Sequence, residues 1–157
     1  MLEQINNFFN TEILYLWVNI GVLPFWLLII FFPRSYLCKY LATSIFPIFL
    51  LSGAYMLVLY KAYIGSFDFI ENFNLYLGIA YVSDLFKDNS YLLMFWIHFV
   101  SINLFVGGWM LKDSEKFTIN KTIMFFPLII TYLIGPIGIF IYWIVRIIHA
   151  KKINLYD

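Results

Sequence analysis

An all-α integral membrane protein, a four-transmembrane-helix bundle, is the fold the sequence predicts, and two observations predict it. Four stretches of the 157-residue chain carry no Lys, Arg, Asp or Glu: residues 13–33, 40–60, 89–111 and 122–145, of 21, 21, 23 and 24 residues. A helix rises about 1.5 Å per residue, so each crosses a hydrocarbon core about 30 Å thick. The composition agrees, at 63% hydrophobic, 12% charged and mean hydropathy +0.86, where a soluble domain carries roughly 25% charged residues. A soluble bundle would need polar outer faces, which these windows lack.

The first span opens after Asn10, Thr11 and Glu12, where Asn or Thr caps the helix and Glu favours its dipole. Pro24 lies inside it, loosening the backbone against the carbonyl of Ile20, and Pro33 with Arg34 closes it. The second span carries Pro47 in its first turns and ends at Lys61. The connection from Lys61 to Asp88 is too long for a simple loop. Phe69, Phe73, Tyr76, Leu77 and Ala80 recur there at helical spacing, so residues 66–86 are expected to form an interfacial helix or a lid. The third span runs over 89–111, residues 112–121 form a hydrophilic turn, and the fourth span covers 122–147 with a kink at Gly135-Pro136. The whole chain, 1–157, reads as a single four-helix membrane domain.

The bulk numbers exclude several classes. A net charge of +1 with no Lys/Arg cluster argues against a nucleic-acid partner. Cys38 is the only cysteine, and His98 and His149 are the only histidines, set at different depths, so no metal site is expected. There is no phosphate-binding loop, dinucleotide fingerprint, zinc-protease motif or nucleophile elbow. No carboxylate lies within a span, which argues against an ion-coupled transporter. The first span is too long for a signal-peptide core and no small-residue cleavage site follows it. A bacterial inner membrane, or a thylakoid or other plastid membrane, is therefore the expected location. With four spans, Lys61, Lys87, Arg146, Lys151 and Lys152 face Arg34, Lys39, Lys112, Lys116 and Lys121 across the bilayer, and the positive-inside rule has no vote.

Chemistry is concentrated in the third span. His98, Ser101 and Asn103 sit in a run otherwise built of Phe, Leu, Val, Ile and Trp, where polar groups tend to face protein or ligand rather than lipid. On an ideal helix His98 and Ser101 lie about 60° apart, while Asn103 is about 140° from His98. Gly107 and Gly108 allow close helix contact.

Several short motifs carry a resemblance. Leu23-Pro24-Phe25-Trp26 with Pro33, Leu77-Gly78, Leu85-Phe86, Trp96-Ile97-His98, Leu104-Phe105-Val106-Gly107, Trp109 with Asp113, and Gly135-Pro136-Ile137-Gly138 followed by Tyr142 and Arg146 follow one another in order. Together they resemble the family of the plant abscisic-acid-deficient protein 4, the neoxanthin synthase family. Where that family usually reads F-D-L-F-V-G-R-W, this chain has Asn103 for the Asp and Gly108 for the Arg. The resemblance implies a membrane protein that acts on or binds carotenoids, through isomerisation of a violaxanthin-type epoxide to an allenic alcohol. The alternative is a non-catalytic carotenoid- or lipid-binding accessory protein.

Such an isomerisation is redox-neutral and implies no cofactor. It asks for a hydrogen-bond donor at the epoxide oxygen and a base for the polyene proton. His98 is the candidate acid/base and Asn103 the candidate donor, with Pro24, Trp26, Ser101, Trp109, Asp113, Gly135 and Pro136 as candidate substrate contacts. His98 and Asp113 lie about 22 Å apart along a straight helix, so they cannot serve one ring. The expected partners are the lipid bilayer and a carotenoid or other long apolar ligand, with a homo-oligomer or a pigment–protein assembly as the form of association.

Overall fold

A computed structural model describes residues 10–64, 73, 76–151, 153 and 154, and of Tyr63 the backbone alone. It is all-helical among the described residues: α1 (Thr11–Phe31), a five-residue π-helical turn (Cys38–Ala42), α2 (Phe46–Ile64), α3 (Ile79–Leu85), α4 (Asn89–Lys116), α5 (Lys121–Leu133) and α6 (Gly135–Ala150). Three helical segments are long and apolar enough to cross a membrane: α1, the stretch Cys38–Ala62, and α4.

The starts and stops follow local chemistry. Asn10 Oδ1 accepts from the Ile13 amide at 2.8 Å, and Asp88 Oδ1 accepts from that of Tyr91 at 2.9 Å, so each satisfies an orphan donor at a helix start. Helix α4 ends at Lys116, two residues before Thr118, which takes the left-handed conformation (φ 53°). The Ile119 amide returns to the Ser114 carbonyl at 2.9 Å and the Thr118 amide to that of Glu115 at 3.2 Å, the paired bonds of a Schellman cap. Asn120 then starts α5, its side chain accepting from the Thr122 amide at 3.1 Å. Gly78 (φ 151°) precedes α3 in a conformation that side chains avoid.

Two expectations need correction. Residues 112–116 are not part of a turn but the last turns of α4, with Asp113 and Ser114 buried. They stay helical because partners on another helix take up the carboxylate. Of the expected interfacial segment, α3 is the part the structure describes as a helix, and none of its residues is buried; Phe69 lies outside the described residues.

The second correction concerns the fourth predicted span, which is two short helices joined at Ile134 (φ −142°, ψ 81°). The 13 and 16 residues of α5 and α6 rise about 20 and 24 Å, less than a bilayer core each. Pro136 in the first turn of α6 favours a fresh start over continuation. The two helices fold back on one another. Gly138 lies so close to Thr131 that a Cβ there would collide with the Thr131 hydroxyl, amide nitrogen and Cα. Contacts with α4 show the direction of each arm: α5 descends past Met110, Gly135 sits at Asn103, and α6 climbs back to Asp113.

The chain falls into two compact units, Met1–Gly21 with Phe49–Phe99, and Val22–Ile48 with Val100–Asp157. In the first, Trp96 donates through Nε1 to Asn19 Oδ1 at 3.2 Å and packs on Tyr15, tying α4 to α1. Phe86 stacks edge-on against Phe95. The second unit holds the whole α5–α6 hairpin around a core that includes Trp26, Ile29, Leu104, Met110, Leu128 and Tyr142.

Candidate functional site

The residues with chemistry gather in the second unit, along one side of α4. Asp113 is the centre. Its Oδ2 accepts from the Tyr142 hydroxyl at 2.5 Å and from Arg146 Nε at 2.7 Å. Tyr142 and Arg146 are four residues apart on α6 and so share a face. Tyr142 is fully buried and Arg146 is 4% exposed. The Phe117 ring lies 4.8 Å from the guanidinium carbon, and Trp109 packs edge-on against Tyr142 at 5.7 Å between centroids. A carboxylate and a guanidinium this deep persist only because each neutralises the other and the hydroxyl adds a third bond. The Tyr142 hydroxyl and Arg146 Nε both donate to Asp113, so the cluster anchors α6 to α4.

Deeper along α4, Asn103 is 5% exposed and lies against Gly135, where a Cβ would collide with its Oδ1. Its Nδ2 has no hydrogen-bond partner among the described residues. One turn further along α4, Gly107 receives the Trp26 indole, which a Cβ would approach to 2.7 Å, and Trp26 packs at a tilt against Tyr132, 5.4 Å between centroids.

A groove of about 630 Å³ runs between α4 and the segment 42–48. Ile45, Ile48, Leu104, Phe105 and Trp109 make it mostly apolar, while Thr43, Ser44 and Lys112 supply its polar positions. Gly108 opens into it: a Cβ there meets only the Thr43 Cα, at 3.9 Å. An arginine at that position would project into the groove.

The sequence candidates divide. Trp109 and Asp113 come together with Tyr142 and Arg146, Asn103 meets Gly135, and Trp26 meets Gly107 and Tyr132. Ser101 is half-buried, while Pro24, Pro136 and His98 are exposed. His98 belongs to the first unit and Asn103 to the second. Sequence reasoning did not place Tyr142 and Arg146 in the site. Their four-residue spacing at the end of an apolar run, with a lone Asp just past another, was the available signal.

Among the described residues no group of three His, Cys, Asp or Glu side chains is placed to hold a metal. The architecture defines an all-helical protein of apolar, membrane-length helices with a helical hairpin locked to one of them by a buried ion pair. The chain matches the ABA DEFICIENT 4-like family over residues 13–142 and belongs to that family. No curated protein and no solved structure matches it.

Proposed function

We propose that this protein binds a long apolar ligand of the carotenoid class in the groove beside Trp109, as an integral membrane protein. The observation that carries this reading is the groove itself. Its size falls in the range of about 300–1,000 Å³ typical of small-molecule sites. Its apolar wall with Thr43, Ser44 and Lys112 among its lining suits a polyene that ends in an oxygenated ring. Gly108 keeps that space open, and the Asp113 cluster holds Trp109 against Tyr142.

In the membrane the reading replaces the four-span count with three spans and a re-entrant hairpin. Helices α5 and α6 enter and leave on the same face, with Gly135 near the bilayer midplane beside Asn103. Irregular backbone is tolerated at that depth where protein buries it. This topology puts Arg34, Lys39, Lys112, Lys116, Lys121, Arg146 and Lys151 on one side, and Lys61 and Lys87 on the other. The positive-inside rule then gives a clear orientation, with the Arg34 side cytoplasmic, or its plastid equivalent. The lid role of α3 belongs to the same reading: a short helix between two spans, with none of its residues buried.

A second reading, isomerisation of a carotenoid epoxide, is favoured by one observation. The buried Asn103 amide has an N–H without an acceptor, the kind of donor an epoxide oxygen requires. One experiment separates the readings: express the chain in an epoxycarotenoid-producing host, then chromatograph the total pigment pool and the pigment carried by purified protein. Bound pigment with an unchanged pool supports binding, a new isomer of unchanged mass supports catalysis, and a colourless protein with an unchanged pool sinks both.

A further inference from the structure

A second cavity in the same unit has a different character. It encloses about 320 Å³ where the end of α1, the Schellman turn after α4 and the start of α5 meet. Arg34, Lys39 and Lys121 line it, against Glu115 as the one carboxylate in its lining. All three cations are exposed, and none has an ion-pair partner among the described residues. The floor is apolar: Ile29, Met124 and Leu128 are all at most 2% exposed. Ser114 and Thr118 add hydroxyls in between.

We infer that this cavity is a binding site for an anionic phospholipid, its phosphate held by Arg34, Lys39 and Lys121 and the start of an acyl chain against Ile30 and Pro33. The excess of cations sets the sign of the ligand, and Arg suits phosphate because its fork of N–H donors matches the oxygens. The N-terminus of the 13-residue α5 adds favourable dipole where Lys121 stands. The apolar lining sets the other half of the ligand: Ile30 and Pro33 are only half-buried, and a free phosphate leaves them uncovered, whereas an acyl chain covers them. The cations lie at the ends of apolar helices, where headgroups sit. Basic pockets between helices at such an interface bind anionic headgroups. The site shares no lining residue with the groove beside Trp109.

The test is native mass spectrometry of the full chain in detergent, titrated separately with phosphatidylglycerol, with phosphatidylcholine of the same acyl chains, and with inorganic phosphate. One tightly held phosphatidylglycerol is expected, with phosphatidylcholine much weaker and phosphate unbound. At about 1 kcal/mol per cation, Arg34→Gln, Lys39→Gln and Lys121→Gln should each weaken binding about fivefold, and the triple variant about a hundredfold. Helical content by circular dichroism checks that the variants fold, and Lys87→Gln, outside the cavity, should bind as the parent does. Equal retention of the two lipids, unchanged binding by the triple variant, or phosphate binding as tightly as phosphatidylglycerol overturns the inference.

Discussion

Arg146 reaches across 33 residues of chain to meet Asp113, Nε to Oδ2 at 2.7 Å, with both side chains more than nine-tenths buried. The pair fixes where α6 ends its climb along α4, and with it the return arm of the hairpin. Removing one partner of a buried pair leaves an uncompensated charge, which costs about 3–5 kcal/mol. Asp113→Asn and Arg146→Gln are each expected to lower the melting temperature of the detergent-solubilised protein sharply. The double variant Asp113→Leu/Arg146→Leu should recover much of the loss, because it strands no charge. A double variant no more stable than the singles would show that the pair contributes more than mutual neutralisation.

The glycines make a sharper comparison. A Cβ at Gly135 meets Asn103, and one at Gly138 meets the Thr131 backbone, whereas one at Gly53 meets nothing within 4 Å. Gly138→Ala and Gly135→Ala should therefore destabilise by about 1–3 kcal/mol through overpacking. Gly53→Ala, in the middle of α2, should instead stabilise by up to about 1 kcal/mol. Thermal denaturation of the three variants side by side reads the difference, and equal effects would contradict the tight turn between α5 and α6.

Asn103 gives a prediction with opposite signs for its two roles. A buried amide N–H without an acceptor costs about 1–3 kcal/mol, so Asn103→Ala should leave stability unchanged or raise it. If the donor serves a ligand, the same variant should retain less pigment, or turn over less of it, than the parent. Reduced stability with unaltered pigment would make Asn103 a purely structural residue.

The long apolar windows were legible because charge-free length alone identifies α1, Cys38–Ala62 and α4. The hairpin was not. Residues 122–145 satisfy the same length test, and nothing in hydropathy distinguishes one crossing from two half-crossings. The difference rests on Gly138 against Thr131 and on Ile134 leaving the helical region, both of them tertiary facts. Asn103 and Asp113 could be singled out as polar residues in or beside an apolar helix. The partners of Asp113 could not be found from its own neighbourhood, since α6 returns to it only through the turn at Ile134. His98 shows the limit from the other side: residue type marked it for function, while the helix presents it on an exposed face.

The hairpin also decides where the chain ends. If α5 and α6 together crossed the bilayer, both termini would lie on one side and basic residues would divide evenly. If the hairpin is re-entrant, the termini lie on opposite sides, and the C-terminus shares a face with Arg34 and Lys121. A fluorescent protein that matures only in the cytoplasm, fused after the last residue, should glow in a bacterial host. A phosphatase active only outside the cytoplasm, fused there instead, should be silent. At the N-terminus the outcomes should reverse, with the phosphatase active and the fluorescent fusion dark. The same reporting side at both ends would restore the fourth span and require Arg146 to meet Asp113 in a different arrangement.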